Sequence, residues 1–279
     1  MKMETIEAIF YIEGLSNDRK ALESAMAQTV ERLKSEKEAK VKDIRVEDIL
    51  EDPENELMRY SGMIEARIEA PFDVMADLAI RYAPAAIEVL TTSKVELEAE
   101  KLTKILGGVS YLMSQLIDRF GALAAYPQLD ELEEPKIGYS REEIESMILE
   151  DRMVLYRFVV ETFSKDEETL KRDFSKALAY EGCRINKFIY KEQGTSEKTG
   201  LKYFLVATEL ISDVETLFQL TAKYSPVAIE VVEPEIVDIT PAEIQGVLSD
   251  LAGFSYELVS RPLKAKVLEK ENTSFRLMR

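Results

Sequence analysis

Arg81-Tyr82-Ala83-Pro84-Ala85-Ala86-Ile87-Glu88-Val89-Leu90 returns as Lys223-Tyr224-Ser225-Pro226-Val227-Ala228-Ile229-Glu230-Val231-Val232, an offset of 223 − 81 = 142 residues. The same offset holds without a gap from Phe72–Leu116 to Val214–Leu258. Nearer the start, Phe10 meets Phe158 and Leu22 meets Leu170, an offset of 158 − 10 = 148. The first copy therefore carries 148 − 142 = 6 extra residues, which fall in the acidic stretch Glu47 to Glu56. Loops absorb such length changes, so the chain reads as one unit built twice.

Working outward from the repeat, Tyr82 and Pro84 close a short helix that begins at Phe72. Proline has no N–H to donate and disfavours the helical conformation at the residue before it. Ala86 to Leu90 then reads as a strand. Upstream, Thr5 to Glu13 alternates with a period of two, and Leu22, Met26, Val30 and Leu33 recur at helical spacing, with Ser16 or Asn17 as N-cap. Lys40 to Val46 and Tyr60 to Glu69 complete the first copy. The second copy repeats the order: Met153 to Glu161, a helix after Ser164-Lys165-Asp166-Glu167, the hairpin Arg184–Lys191/Leu201–Leu210, a helix from Asp213, and Val227 to Val232.

Strand, helix, strand, strand, helix, strand is the order of the ferredoxin-like βαββαβ unit. The predicted fold is α+β: a tandem duplication of that unit, each copy with an extra C-terminal helix. The first helix carries Leu102, Leu106, Val109 and Met113 and ends near Tyr126-Pro127. The second starts at the capping box Thr240-Pro241-Ala242-Glu243 and is expected to stop at Pro262, with Leu263 to Leu268 as an edge strand. The expected domains are 1–126, a linker with a short helix over 127–151, and 152–279.

Composition excludes several classes of function. The chain has 279 residues, 53 acidic against 36 basic, and a formal charge of −17. Such a field repels phosphate backbones and anionic head groups, so neither a nucleic-acid nor a membrane partner is expected. The uncharged run Ile105 to Ile117 is far shorter than the ~20 residues that span a bilayer. A single cysteine, Cys183, and no apolar leader point to the cytoplasm. There is no histidine, which removes the usual neutral-pH acid/base, the commonest metal ligand and any Ser-His-Asp triad. No phosphate loop, dinucleotide fingerprint or Cys-x-x-Cys is present, so no cofactor, metal or catalytic residue is assigned.

Glu88 and Glu230 lie on the strand side opposite Ile87 and Ile229, facing away from the helices. That face also carries Tyr11, Arg67 and Arg157. Buried carboxylates there would need cationic partners, so Tyr11, Arg67, Glu88, Arg157 and Glu230 are the ligand-binding candidates, lining a seam between the repeats. Gly107-Gly108, costly inside a helix, implies close packing of that helix. The expected function is a non-catalytic ligand-binding, regulatory or protein-interaction module, either homo-oligomeric or with a protein partner, and with a small molecule as the candidate ligand. The alternative is a cofactor-free enzyme with a pocket between the two sheets, as in two-repeat α+β barrels.

Overall fold

The computed structural model describes residues 5–55, 58–123 and 129–272. In chain order these form β1 (Thr5–Ser16), α1 (Arg19–Lys34), β2 (Lys40–Val46), the two-residue β3 (Leu50–Glu51), β4 (Tyr60–Pro71), α2 (Phe72–Tyr82), β5 (Ala86–Val89), β6 (Val95–Glu98) and α3 (Ala99–Phe120). There follow α4 (Arg141–Leu149), β7 (Val154–Ser164), α5 (Glu167–Tyr180), β8 (Arg184–Thr195), β9 (Lys202–Ser212), α6 (Val214–Tyr224), β10 (Ala228–Glu233), β11 (Ile236–Ile239) and α7 (Pro241–Asn272). The protein is mixed α+β, with seven α-helices among the described residues and three antiparallel sheets.

Two compact units emerge. Unit 1 comprises the chain up to Ser93, Leu116–Gly121 and everything from Ile244; unit 2 comprises Lys94–Gln115 and Ala122–Glu243. The sheet of unit 1 runs β2-β4-β1-β5, with β3 added beside β4. Its central pair, β1 and β4, is in register from Thr5↔Pro71 to Ser16↔Tyr60. Alternation decides which side is buried: Ile6, Ala8 and Phe10 of β1 and Ile64, Ala66 and Ile68 of β4 are enclosed, while the residues between them are not. Leu22 and Met26 of α1, Met75 and Leu78 of α2, and Val247 and Leu251 of α7 are buried with them.

Unit 2 has a sheet of order β10-β7-β9-β8 and a two-stranded ribbon, β6 with β11. Its core holds Tyr156, Phe158, Phe204 and Phe218, all fully buried. One end of the opposite sheet face is covered by α4, whose Ile144, Met147 and Ile148 pack on Leu155 and Ile211.

Helix side chains seal one edge of each sheet. In unit 1 the Gln245 side chain of α7 accepts from the Val89 N–H at 2.8 Å and donates to the Ile87 carbonyl at 2.9 Å. In unit 2 the Thr103 hydroxyl of α3 accepts from the Val231 N–H at 2.9 Å, and Ser110 donates to the Pro226 carbonyl. Unpaired edge groups invite association with another strand, and these contacts block two such edges.

Several local expectations need correction. Pro262 lies inside α7, and 263–268 is helical rather than an edge strand. A single missing N–H removes one ladder bond, and intact turns on both sides carry the helix past it. Asp18, not Ser16 or Asn17, caps α1, and Asp166, not Ser164, caps α5; in each case the carboxylate accepts from the backbone three residues on. The Thr240 capping box forms as expected, and Ser140 with Glu143 makes a second one at the start of α4. β6, β11 and β3 went unread because runs of four or two residues carry too little alternation to detect. Gly107 and Gly108 are exposed, and a Cβ at either would meet nothing within 4 Å, so close packing does not account for them. The expected helix end at Tyr126-Pro127 lies outside the described residues.

Candidate functional site

The repeated stretch is an architectural joint. α2 ends on Ala83 and α6 on Ser225, both in the left-handed conformation with φ of 42° and 44°. The backbone then turns back onto the first strand of its sheet, where Ala85 N–H donates to Tyr11 O and Val227 N–H to Val159 O, each at 2.8 Å. Arg81 makes a two-pronged pair with Glu36 at 2.9 and 3.1 Å, and Tyr82 donates to the same carboxylate at 2.6 Å. The Arg81 guanidinium holds Glu36 below the usual carboxylate range. Lys223 clamps Glu181 at 2.6 Å in unit 2. In each unit the last-turn cation of one helix thus ties to a carboxylate just past the end of another.

The candidate ligand-binding residues sit on the sheet faces turned away from the helices. In unit 1 the register sets Asp43, Arg67, Ile9 and Glu88 in one row across four strands. Tyr11 lies two residues along β1 and donates to Glu88 at 3.1 Å, which pushes the phenol above its ordinary pKa. Arg67 bonds Glu7 at 2.6 Å, and Lys42 bridges Glu7 at 2.9 Å and Glu69 at 2.7 Å. Lys42 and then Arg67 hold the Glu7 carboxyl below its usual range. A cleft of about 370 Å³ opens here, lined by Ile9, Lys42, Asp43, Arg45, Glu65 and Arg67.

In unit 2 the corresponding row is Lys187, Glu209, Arg157 and Glu230. Arg157 bonds Glu230 at 2.9 Å and approaches Glu209 at 3.5 Å; Lys187 reaches Glu209 at 2.8 Å and Asn186 donates to it at 2.6 Å. Burial pushes the Glu209 carboxyl up, but Lys187 and Asn186 outweigh it and leave the group below its usual range. Asn186 also accepts from the Tyr139 N–H, joining the row to the segment that leads into α4.

The five residues therefore fall in two groups, Tyr11, Arg67 and Glu88 in unit 1 and Arg157 and Glu230 in unit 2. The side chains of Arg67, Arg157 and Glu230 are 49%, 56% and 59% exposed, so they escape the desolvation cost that pairing was expected to offset. Glu209, only 7% exposed, is the residue that sequence reasoning did not single out. Its alternation put it on this face, but nothing in the sequence marked it as the one carboxylate there deep enough to need three partners.

These groups can fix charged or hydrogen-bonding atoms in place. They do not assemble a nucleophile with a base. Cys183 is buried beside the Tyr156 hydroxyl at 3.3 Å, and burial pushes its thiol up to about 12, which leaves no thiolate at neutral pH. Among the described residues no group of three or more acids or cysteines is placed to hold a metal, and no helix is long and apolar enough to cross a membrane.

Fold and faces define an α+β protein whose two larger antiparallel sheets each present a row of fixed charges. The chain belongs to the MJ0538 family, whose model matches residues 7–265. It is 26% identical over 261 residues to the uncharacterized protein MJ0538 of Methanocaldococcus jannaschii, covering 92% of this chain and 97% of that one. A crystal structure of an unknown protein from Galdieria sulphuraria aligns with 82% of this chain and all of that one, at 12% identity and a TM-score of 0.21.

Proposed function

We propose that this is a cytoplasmic, non-catalytic binding module made by tandem duplication of a ferredoxin-like unit, which takes a small charged ligand or a protein partner, including a second copy of itself, on its open sheet faces. Three matches support the duplication. Each sheet places its strands in the order fourth, first, third, second, the order of a ferredoxin-like sheet. α2 and α6 share the offset 214 − 72 = 142, and α1 and α5 share 167 − 19 = 148, the two offsets read from sequence. Edge contacts correspond too: Thr103 serves Val231 and Gln245 serves Val89, with 245 − 103 = 142 and 231 − 89 = 142. On this reading the last helix of each copy closes the sheet of the other.

The observation that carries the binding reading is the pair of charged rows, Asp43-Arg67-Ile9-Glu88 and Lys187-Glu209-Arg157-Glu230, on faces without a nucleophile and base. Exposed pairs of this kind contribute only about 0–1 kcal/mol to folding, so stability alone gives little reason for two such rows. Native mass spectrometry of the purified protein tests the idea. Retained small-molecule mass or a whole-number oligomer is expected, and it should be lost in Arg67→Glu or Arg157→Glu. A bare single chain for wild type, or an assembly unchanged in both variants, would refute it.

A further inference from the structure

Unit 2 contains a second pocket, separate from its charged row. It lies on the helix side of the sheet, where β7 from Val160 to Ser164 runs beyond its pairing with β10 and keeps β9 alone as a neighbour. Its volume is about 270 Å³. Leu170, Phe174 and Tyr224 form an apolar wall, with Phe174 and Tyr224 edge to face at 5.6 Å. Leu129, from the linker between the copies, also lines it. Polar groups are set into this wall: the Thr162 and Ser164 hydroxyls, which have no side-chain partner among the described residues, and the Asp173 carboxylate near the mouth.

The matching positions in unit 1 are filled differently. With the offset of 148, Thr162 corresponds to Gly14, Phe174 to Met26, Thr169 to Ala21 and Asp173 to Ala25. A Cβ on Gly14 would sit 2.7 Å from Leu22 Cδ1, so the leucine fills the space that Thr162 borders in the second copy. These four positions carry a hydroxyl, a carboxylate or an aromatic ring in the second half, whereas Ala177, also in the lining, stands where the first half has Thr29. Packing gives no reason for the Thr162 hydroxyl, because a hydroxyl at a half-buried position costs stability unless something pairs with it.

The geometry points to a ligand site in the second repeat for a small organic ammonium ion with an aromatic or branched apolar body. The volume suits roughly a dozen non-hydrogen atoms. The faces of Phe174 and Tyr224 attract a cation as well as an apolar body. The Asp173 carboxylate at the mouth disfavours an anion, while the Thr162 and Ser164 hydroxyls can accept the ammonium N–H groups. Asp173 is held by Arg172 through one oxygen at 2.8 Å, which fixes the carboxylate in place.

Calorimetric titration of the full chain with phenethylammonium chloride, 2-phenylethanol and phenylacetate tests this. One phenethylammonium per chain is expected, with the alcohol and the acid at least about tenfold weaker, the worth of one charge-assisted hydrogen bond. Asp173→Asn, at a side chain 37% exposed where folding tolerates change, should erase the preference for the cation over the alcohol. Phe174→Met, which restores the first copy's residue, should weaken all binding, with circular dichroism checking the fold of both variants. No binding of the cation up to about 10 mM, equal binding of phenylacetate, or an Asp173→Asn protein with its preference intact would overturn the site. Two cations per chain would overturn its assignment to one repeat. The contrast between copies rests on the duplication proposed above, but the ligand preference does not, so a failed titration would remove the site and leave the duplication standing.

Discussion

Gln245→Ala isolates the contact by which α7 closes the sheet of unit 1. The Gln245 amide accepts from Val89 N–H and donates to Ile87 O, both on β5, whose other edge is paired with β1. Alanine leaves one backbone donor and one acceptor without a protein partner. Both are partly buried, so water recovers part of the loss, and a net cost near 1 kcal/mol for each bond gives about 2 kcal/mol. Alanine's better helix propensity returns a few tenths of that. Unfolding entropy near 2.1 cal/mol/K per residue gives about 0.6 kcal/mol/K for the whole chain, so Tm should fall by about 3 °C, or about twice that if unit 1 melts alone. Differential scanning calorimetry reads the shift. Thr103→Val, which removes only the partner of Val231 N–H, should cost about half as much. A Gln245→Ala shift below about 1 °C, or one no larger than that of Thr103→Val, would show that the helix does not seal the strand edge as argued.

Two further outcomes follow from local chemistry. Burial and the Glu36 bond push the Tyr82 phenol up to about 12, and burial and the Glu13 bond do the same for Tyr256, against about 10 in an unfolded chain. A folded pKa above the unfolded one means that their contribution to stability is intact below pH about 10 and lost as pH climbs towards 12. Ultraviolet titration should show a late tyrosinate phase that shrinks in Tyr82→Phe and Tyr256→Phe; ionisation of all accessible tyrosines in one early phase would contradict it. Gly107→Ala and Gly108→Ala should each stabilise the protein by up to about 1 kcal/mol in urea unfolding, since the added methyl meets nothing and the helix gains propensity. A loss instead would mean that this face of α3 packs against a partner.

Most of the secondary structure was legible because its signals are local and periodic. β1 alternates over its whole length, the Ser140 and Thr240 boxes use residues that can cap only a helix start, and Pro84 and Pro226 forbid continuation of α2 and α6. The failures come from context. Pro262 carries the same stop signal as Pro84, yet α7 continues through it, whereas α2 ends in a residue with φ of 42° that no helix can follow. The difference is the left-handed residue before the proline, which sequence does not announce when it is an alanine.

The candidate sites show the opposite pattern. The stretch that recurs, Tyr-x-Pro-x-Ala-Ile-Glu-Val, performs the same structural task at both places: a helix stop and a turn back onto the first strand. The recurrence in the sequence therefore located the architecture. On the duplication proposed above, function is better sought where the two halves differ at matching positions. Arg67 corresponds to Glu209 and Ile9 to Arg157, so one sheet face carries a different charge sequence from the other. Gly14 and Ala25 stand 148 residues before Thr162 and Asp173; Leu22 lies over Gly14, whereas Thr162 and Asp173 line a cavity of about 270 Å³. A packed core resists the first of these exchanges, because a threonine inserted for a glycine covered by a leucine loses either volume fit or hydrogen bonds.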